Sequence, residues 1–183
     1  MATEEYLRAV TVGEVKPHDS PIHLAEYDLR WPAQFEYLAG RIKKALGNNA
    51  ILLEHVGSTS VPGLAAKPVI DMVLAVRDSA DEPAYVPALE AEGFFLRIRE
   101  PDWFAHRLLR SAEISSNLHV FSAGCEEIAG MLAFRDWLRA HDDDRIAYER
   151  AKRELATRTW RHVQDYADAK TSIVKEIVAR AGG

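Results

Sequence analysis

Cysteine is nearly absent from this sequence: Cys125 is the only one in 183 residues. No intrachain disulfide can form, no thiolate-rich zinc set can be built, and a reducing compartment is the natural setting. Positive charge is also scarce, with 23 Lys and Arg against 28 Asp and Glu and a formal net charge of −5. That balance argues against a protein that coats nucleic acid, because counterion release needs clustered cations. Long hydrophobic runs are missing, and no uncharged stretch approaches the ~20 residues that span a bilayer. The N-terminus MATEEYLRAV has early acids and no apolar core, so it does not read as a secretory signal. Internal repeats and low-complexity segments are missing too. These absences leave a soluble, cytoplasmic protein with no membrane partner as the expectation.

What is present is an ordinary globular composition, 48% apolar and 28% charged, in a chain long enough for one α/β domain with a helical C-terminal region. Residues 1–26 read as an N-terminal arm, with an alternating run at Ala9 to Val12 suited to an edge strand. Residues 27–123 read as the core and 124–183 as helices packed on it. Phe35, Leu38, Ile42 and Leu46 recur at helical spacing, with Pro32 at the start and Gly47 at the stop, which predicts a helix over 33–46.

Short apolar runs at 51–56 and 68–76 predict two buried strands, and 94–99, 104–110 and 117–122 predict three more. A short helix is expected near 86–92. After Gly124 the period lengthens, and three helices are expected, the last lined by Tyr166, Lys170, Ile173, Ile177 and Ala181, with a linker over 158–162.

The chemistry gathers between Glu54 and Val76, EHVGSTSVPGLAAKPVIDMVLAV. Gly57, Ser58, Thr59 and Ser60 form a small-residue turn whose backbone can approach a phosphate, and a short helical turn at Ser60 would offer N–H groups to an anion. Lys67 stands at the entrance of the second strand. Asp71 lies within that strand, sharing a face with Val73 and Ala75, and an uncompensated carboxylate there is costly, so it requires a partner. Held inward, it could bind Mg²⁺ or act as a base. Glu54 and His55 are further candidates, of which alternation lets only one face the site. On the later strand His119 could serve as ligand or base, with Asn117 orienting a substrate. Tyr148 with Lys152, and Tyr166 with Lys170, are i,i+4 pairs, and with Arg135 they could form a cationic wall. The arginines 97, 99, 107 and 110, around Trp103 and Phe104, read as the solvated face of a hairpin.

The run from Glu54 to Val76, with YDLRWPAQF upstream and NLHVF, LAFRDWLRAH, YERAK and YADAK downstream, closely resembles the GrpB family over about residues 27–178. The resemblance implies a nucleotidyltransferase-like fold: a mixed sheet flanked by helices, with the Gly-Ser turn beside an active cleft. It also implies an occasional fusion to dephospho-CoA kinase. The superfamily pattern places Asp-x-Asp or Asp-x-Glu after Gly-Ser, and a third acid on a later strand. Gly57, Ser58 and Asp71 match, but Val73 replaces the second acid and His119 stands on the later strand. Two-metal catalysis needs several oxygen ligands around ions ~3.5–4 Å apart. The expectation is a protein that binds a nucleotide or other phosphorylated small molecule, either transferring a nucleotidyl or phosphoryl group or serving as a binding module without catalysis.

Overall fold

The structure is a computed structural model and describes residues 3–15, 22–160 and 163–181. Five strands form one mixed sheet: β1 (Leu52–Val56), β2 (Ile70–Val76), β3 (Phe94–Glu100), β4 (His106–Ser111) and β5 (Ser116–Ser122), in the order β1-β2-β5-β4-β3. The β2–β5 pair is parallel and the other three are antiparallel.

Alternation along these strands sorts the sheet into two unlike faces. One face carries Leu53 from β1, Ile70, Met72, Leu74 and Val76 from β2, Leu118 and Val120 from β5, and Phe94 and Leu96 from β3, all buried. Two helices close over it, α2 (Trp31–Leu46) and α3 (Val86–Ala91). Helix α2 starts with proline in its first turn and stops at Gly47, whose φ of 51° suits glycine. Its apolar stripe of Leu38, Ala39, Ile42 and Leu46 is buried in that core, as its spacing requires.

The opposite face holds the chemistry. Register places Glu54 beside Val73, Val56 beside Asp71, Asn117 beside Asp71 and His119 beside Val73, so all of these share it. One end is covered by α4 (Glu126–Ala140), where Ile128 packs with Val56, Val73, Ala75 and Phe121. Helices α5 (Asp142–Ala156) and α7 (Thr171–Arg180) join α4 around Leu138, Tyr148 and Ile177, and bury Val61 and Leu64 of the loop before β2.

Three expectations need correction. Within the described part of the N-terminal arm, the run expected as an edge strand is largely helical. Residues Glu4–Val10 form helix α1, capped by the Thr3 hydroxyl, and the chain then bridges Thr11 to Ile98 at the β3 edge. Docking decides this, since the Val12 N–H donates to the Arg97 carbonyl and Arg97 donates back to the Val12 carbonyl, both at 2.8 Å. The rest of the arm includes residues 1–2 and 16–21, which lie outside the described residues. The last helix is two: α6 (Val163–Ala169) ends and α7 begins either side of Lys170, where a turn replaces helical continuation. The expected linker over 158–162 is described only to Trp160. Finally, the hairpin arginines are not a uniformly solvated face: Arg99 and Arg107 both pair with Glu82, at 2.7 and 2.6 Å, and Arg107 is buried.

Candidate anion-binding cleft

Gly57 enters the site first. Its φ of 67° is in the left-handed region, and a Cβ built on it would lie 2.6 Å from Asp71 Oδ2. Glycine is required on both counts, since the backbone lies flat against the carboxylate. The following turn is a three-residue 3₁₀ segment, Ser58–Ser60. Two of its hydroxyls hold the turn itself: Ser60 Oγ donates to the Gly57 carbonyl at 2.6 Å, and Thr59 Oγ1 to the Val69 carbonyl at 3.1 Å. The Ser58 side chain interacts with the Tyr148 hydroxyl, a phenol that burial pushes up to about 12.

Asp71 is partnered by Asn117, whose Nδ2 donates to Oδ1 at 2.8 Å. Burial raises the Asp71 pKa above the ordinary carboxylate value, while the Asn117 bond and the charges of Lys170, Lys67 and Arg110 pull the other way. Burial also lowers Lys67 and Arg110, each opposed by the charge of Asp71. Arg110 shares the Asp71 face, two residues along β4 from Leu108, which pairs with His119. Lys170 Nζ lies 4.5 Å over the Tyr166 ring, and the Tyr166 hydroxyl is buried with no hydrogen-bond partner among the described residues. None of Lys67, Arg110 and Lys170 makes a salt bridge among the described residues. Three cations therefore gather about one carboxylate that burial presses toward neutrality.

Other candidates lie elsewhere. His55 faces the opposite side of the sheet, stacked on Phe35 at 4.8 Å. Thr59 spends its proton on Val69, so His55 must donate to it through Nε2 at 3.0 Å, and burial lowers the ring to about 4. Glu54 shares the Asp71 face, but its carboxylate accepts from Arg135 at 2.8 Å. Arg135 also donates to the His55 carbonyl and to Asp136. Glu54, His55 and Arg135, with Tyr27, Phe35, Ser60 and Arg139, line a separate cavity of about 230 Å³ at the β1 edge. Arg135 is thus part of that edge and not of the Asp71 cluster.

Lys152 is buried rather than part of a cationic wall. Its ammonium donates to the Ala65 carbonyl at 2.5 Å and sits 4.9 Å over the Tyr148 ring. Glu149, one turn before it, accepts from the Ala65 N–H at 3.1 Å, so α5 grips both polar groups of one loop peptide position. Sequence reasoning missed Glu149, although the i,i+3 spacing to Lys152 inside YERAK was a usable signal. This grip fixes the loop that delivers Lys67.

Burial lowers Lys152 to about 7, with Lys170 adding repulsion. Between that value and the ordinary ~10.5 of lysine, the unfolded chain holds a proton the folded one has lost, so stability climbs as pH rises through the window. Lys152→Met removes the buried charge but leaves the Ala65 carbonyl without its donor, at about 1–3 kcal/mol. The Tm of the variant relative to the wild type should therefore be highest at pH 6–7 and fall as pH rises toward about 10.5. Thermal unfolding from pH 6 to 11 checks it, and a Tm difference that does not change with pH would refute it.

The residues do not fit a resident Mg²⁺. Asp71 has one oxygen taken by Asn117 and the other packed on Gly57. Among the described residues no group of three or more His, Cys, Asp or Glu could hold a metal ion. The surrounding cations repel a divalent ion and attract an anion.

Fold and site together define an α/β protein with a five-stranded mixed sheet flanked by helices and a cation-lined cleft on one sheet face. The chain belongs to the GrpB family, whose model, described as GrpB protein, matches residues 21–180. It is 61% identical to the UPF0157 protein BH1888 of Halalkalibacterium halodurans over 98% of this chain and 92% of that one. The crystal structure of conserved protein GrpB from Enterococcus faecalis superposes with a TM-score of 0.75 at 30% identity, covering 88% of this chain and 100% of that one. A dephospho-CoA kinase of Mycolicibacterium paratuberculosis is 29% identical over 88% of this chain, which spans 46% of that protein. No helix among the described residues is long and apolar enough to cross a membrane.

Proposed function

We propose that this protein binds a phosphorylated small molecule, nucleotides included, with the phosphate held in the Asp71 cleft by Lys67, Arg110 and Lys170. The carrying observation is the charge imbalance: three cations without salt bridges, among the described residues, around one carboxylate whose ionisation burial opposes. A dianionic phosphate supplies the missing charge, and Ser58, Tyr148 and the orphan Tyr166 hydroxyl supply polar contacts. The similarity to about half of a protein named dephospho-CoA kinase keeps phosphorylated small molecules as the ligand class.

Binding without transfer is the reading the cleft favours. Nucleotidyl or phosphoryl transfer by the two-metal route needs oxygen ligands for both ions. Val73, fully buried under α4, stands where the second would be. No step is assigned to a metal. The net charge of the whole chain, −5, disfavours nucleic acid as the partner. The lone cysteine supports a reducing, cytoplasmic setting.

The test is thermal stabilisation by inorganic phosphate, ribose 5-phosphate and nucleotides. Lys67→Ala and Arg110→Ala should each weaken binding roughly tenfold or more, since hydrogen bonds to charged groups contribute about 1.5–3 kcal/mol. Wild-type protein that none of these ligands stabilises would overturn the proposal.

A further inference from the structure

A hydrogen-bonded chain runs across three strands on the same sheet face as Asp71. Tyr6 of α1 donates its hydroxyl to Glu100 on β3. Glu100 meets His106 Nδ1 on β4 at 2.7 Å, and His106 Nε2 meets His119 Nδ1 on β5 at 3.1 Å. The rings of His106 and His119 are stacked at 5.2 Å, and Phe121 and Trp103 pack on His106 at 4.8 and 4.9 Å. The order of protons along this chain follows from its ends. Glu100 is held ionised by its bonds to His106 and Tyr6, which outweigh its burial, so it only accepts. The His106 proton must then lie on Nδ1. With both rings neutral, His106 Nε2 is bare and the proton between the rings comes from His119 Nδ1. His119 Nε2 is left as an acceptor, and it has no hydrogen-bond partner among the described residues.

We infer that Tyr6, Glu100 and His106 hold His119 as its Nδ1–H tautomer, so that Nε2 is the hydrogen-bond acceptor for a hydroxyl of the bound phosphorylated ligand. This rests on the phosphate site proposed above. His119 follows Asn117 by two residues on β5, which sets the acceptor about 7 Å along the strand from the Asp71 pair. A phosphorylated alcohol or sugar spans that distance and inorganic phosphate does not. His106 and Glu100 are positioning residues: neither touches the ligand, and each acts through the proton it fixes on the next group.

The tautomer is measured first, in the ligand-free protein, by ¹⁵N-edited NMR of the histidine rings. The spectrum is taken at about pH 8.5, above the ordinary imidazole pKa of ~6.5, so that neutral rings are read. His119 should show a protonated Nδ1 and a bare Nε2. In His106→Phe, where an aromatic ring still packs on Phe121, His119 should turn toward the Nε2–H form. Affinity for ribose 5-phosphate should then fall roughly tenfold while that for inorganic phosphate stays within about twofold. Lys67→Ala should weaken both ligands alike. A wild-type His119 protonated on Nε2, or equal losses for both ligands in His106→Phe, would overturn the inference. Failure of both ligands to bind the wild type overturns the phosphate site and the ligand half with it, whereas the NMR result decides the tautomer independently.

Discussion

Gly57→Ala should destabilise the protein by about 2–6 kcal/mol and abolish phosphate-dependent stabilisation. Two independent costs add. An L-residue held at φ 67° is strained by about 1–3 kcal/mol, and the new methyl would sit 2.6 Å from Asp71 Oδ2. The carboxylate cannot retreat without breaking its 2.8 Å bond from Asn117, so the overpacking adds about 1–3 kcal/mol. At this chain length each kcal/mol moves Tm by about 2–4 °C, so the loss is easily seen. Gly63→Ala is the control, because it also sits at positive φ but has nothing within 4 Å of an added Cβ. It should carry the strain cost alone and leave ligand binding intact. Equal losses at the two positions, with phosphate binding retained in both, would show that the Gly57–Asp71 contact does not shape the cleft.

That contact also shows how the sequence speaks of its fold. Glycine before serine, then an acid inside an apolar strand, specifies that something polar is packed tightly there, and parity alone puts Asp71 and Val73 on one face. The amphipathic stripe of α2 and the paired β-runs are equally legible, because their periods are set by burial on one side. Contacts made across the sheet are not. Arg110 looks like one of four hairpin arginines until strand order brings β4 beside β5 and sets it near Asp71. Arg135 looks like part of a phosphate-facing wall, yet α4 crosses the β1 edge and directs it to Glu54 and Asp136. The Glu100–His106–His119 chain joins residues from three strands, and no local spacing announces it. Helix α1 and the break at Lys170 also depend on tertiary docking, which overrides weak local preference.

Asp71→Asn separates an anion site from a metal site. If Asp71 were a metal ligand, the substitution would abolish binding. In the cleft described here it removes a negative charge from among three cations, so phosphate affinity should be retained or increased. Stability should move the same way. Burial raises the folded pKa of Asp71 above its unfolded value, so in the window between the two the folded state binds the extra proton, and stability falls as pH rises through it. Above that window the ionised carboxylate opposes folding in full; below the unfolded value it opposes nothing. Asp71→Asn should therefore raise Tm at neutral pH, and the gain should disappear below about pH 3.9. The amide keeps an oxygen to accept from Asn117, so the bond that orients the strand pair survives. Loss of phosphate stabilisation in this variant, restored neither by higher phosphate nor by lower pH, would mean that the carboxylate charge itself holds the ligand through a cation. Retained binding with a raised Tm would establish that Lys67, Arg110 and Lys170 carry the anion without help from the Asp71 charge.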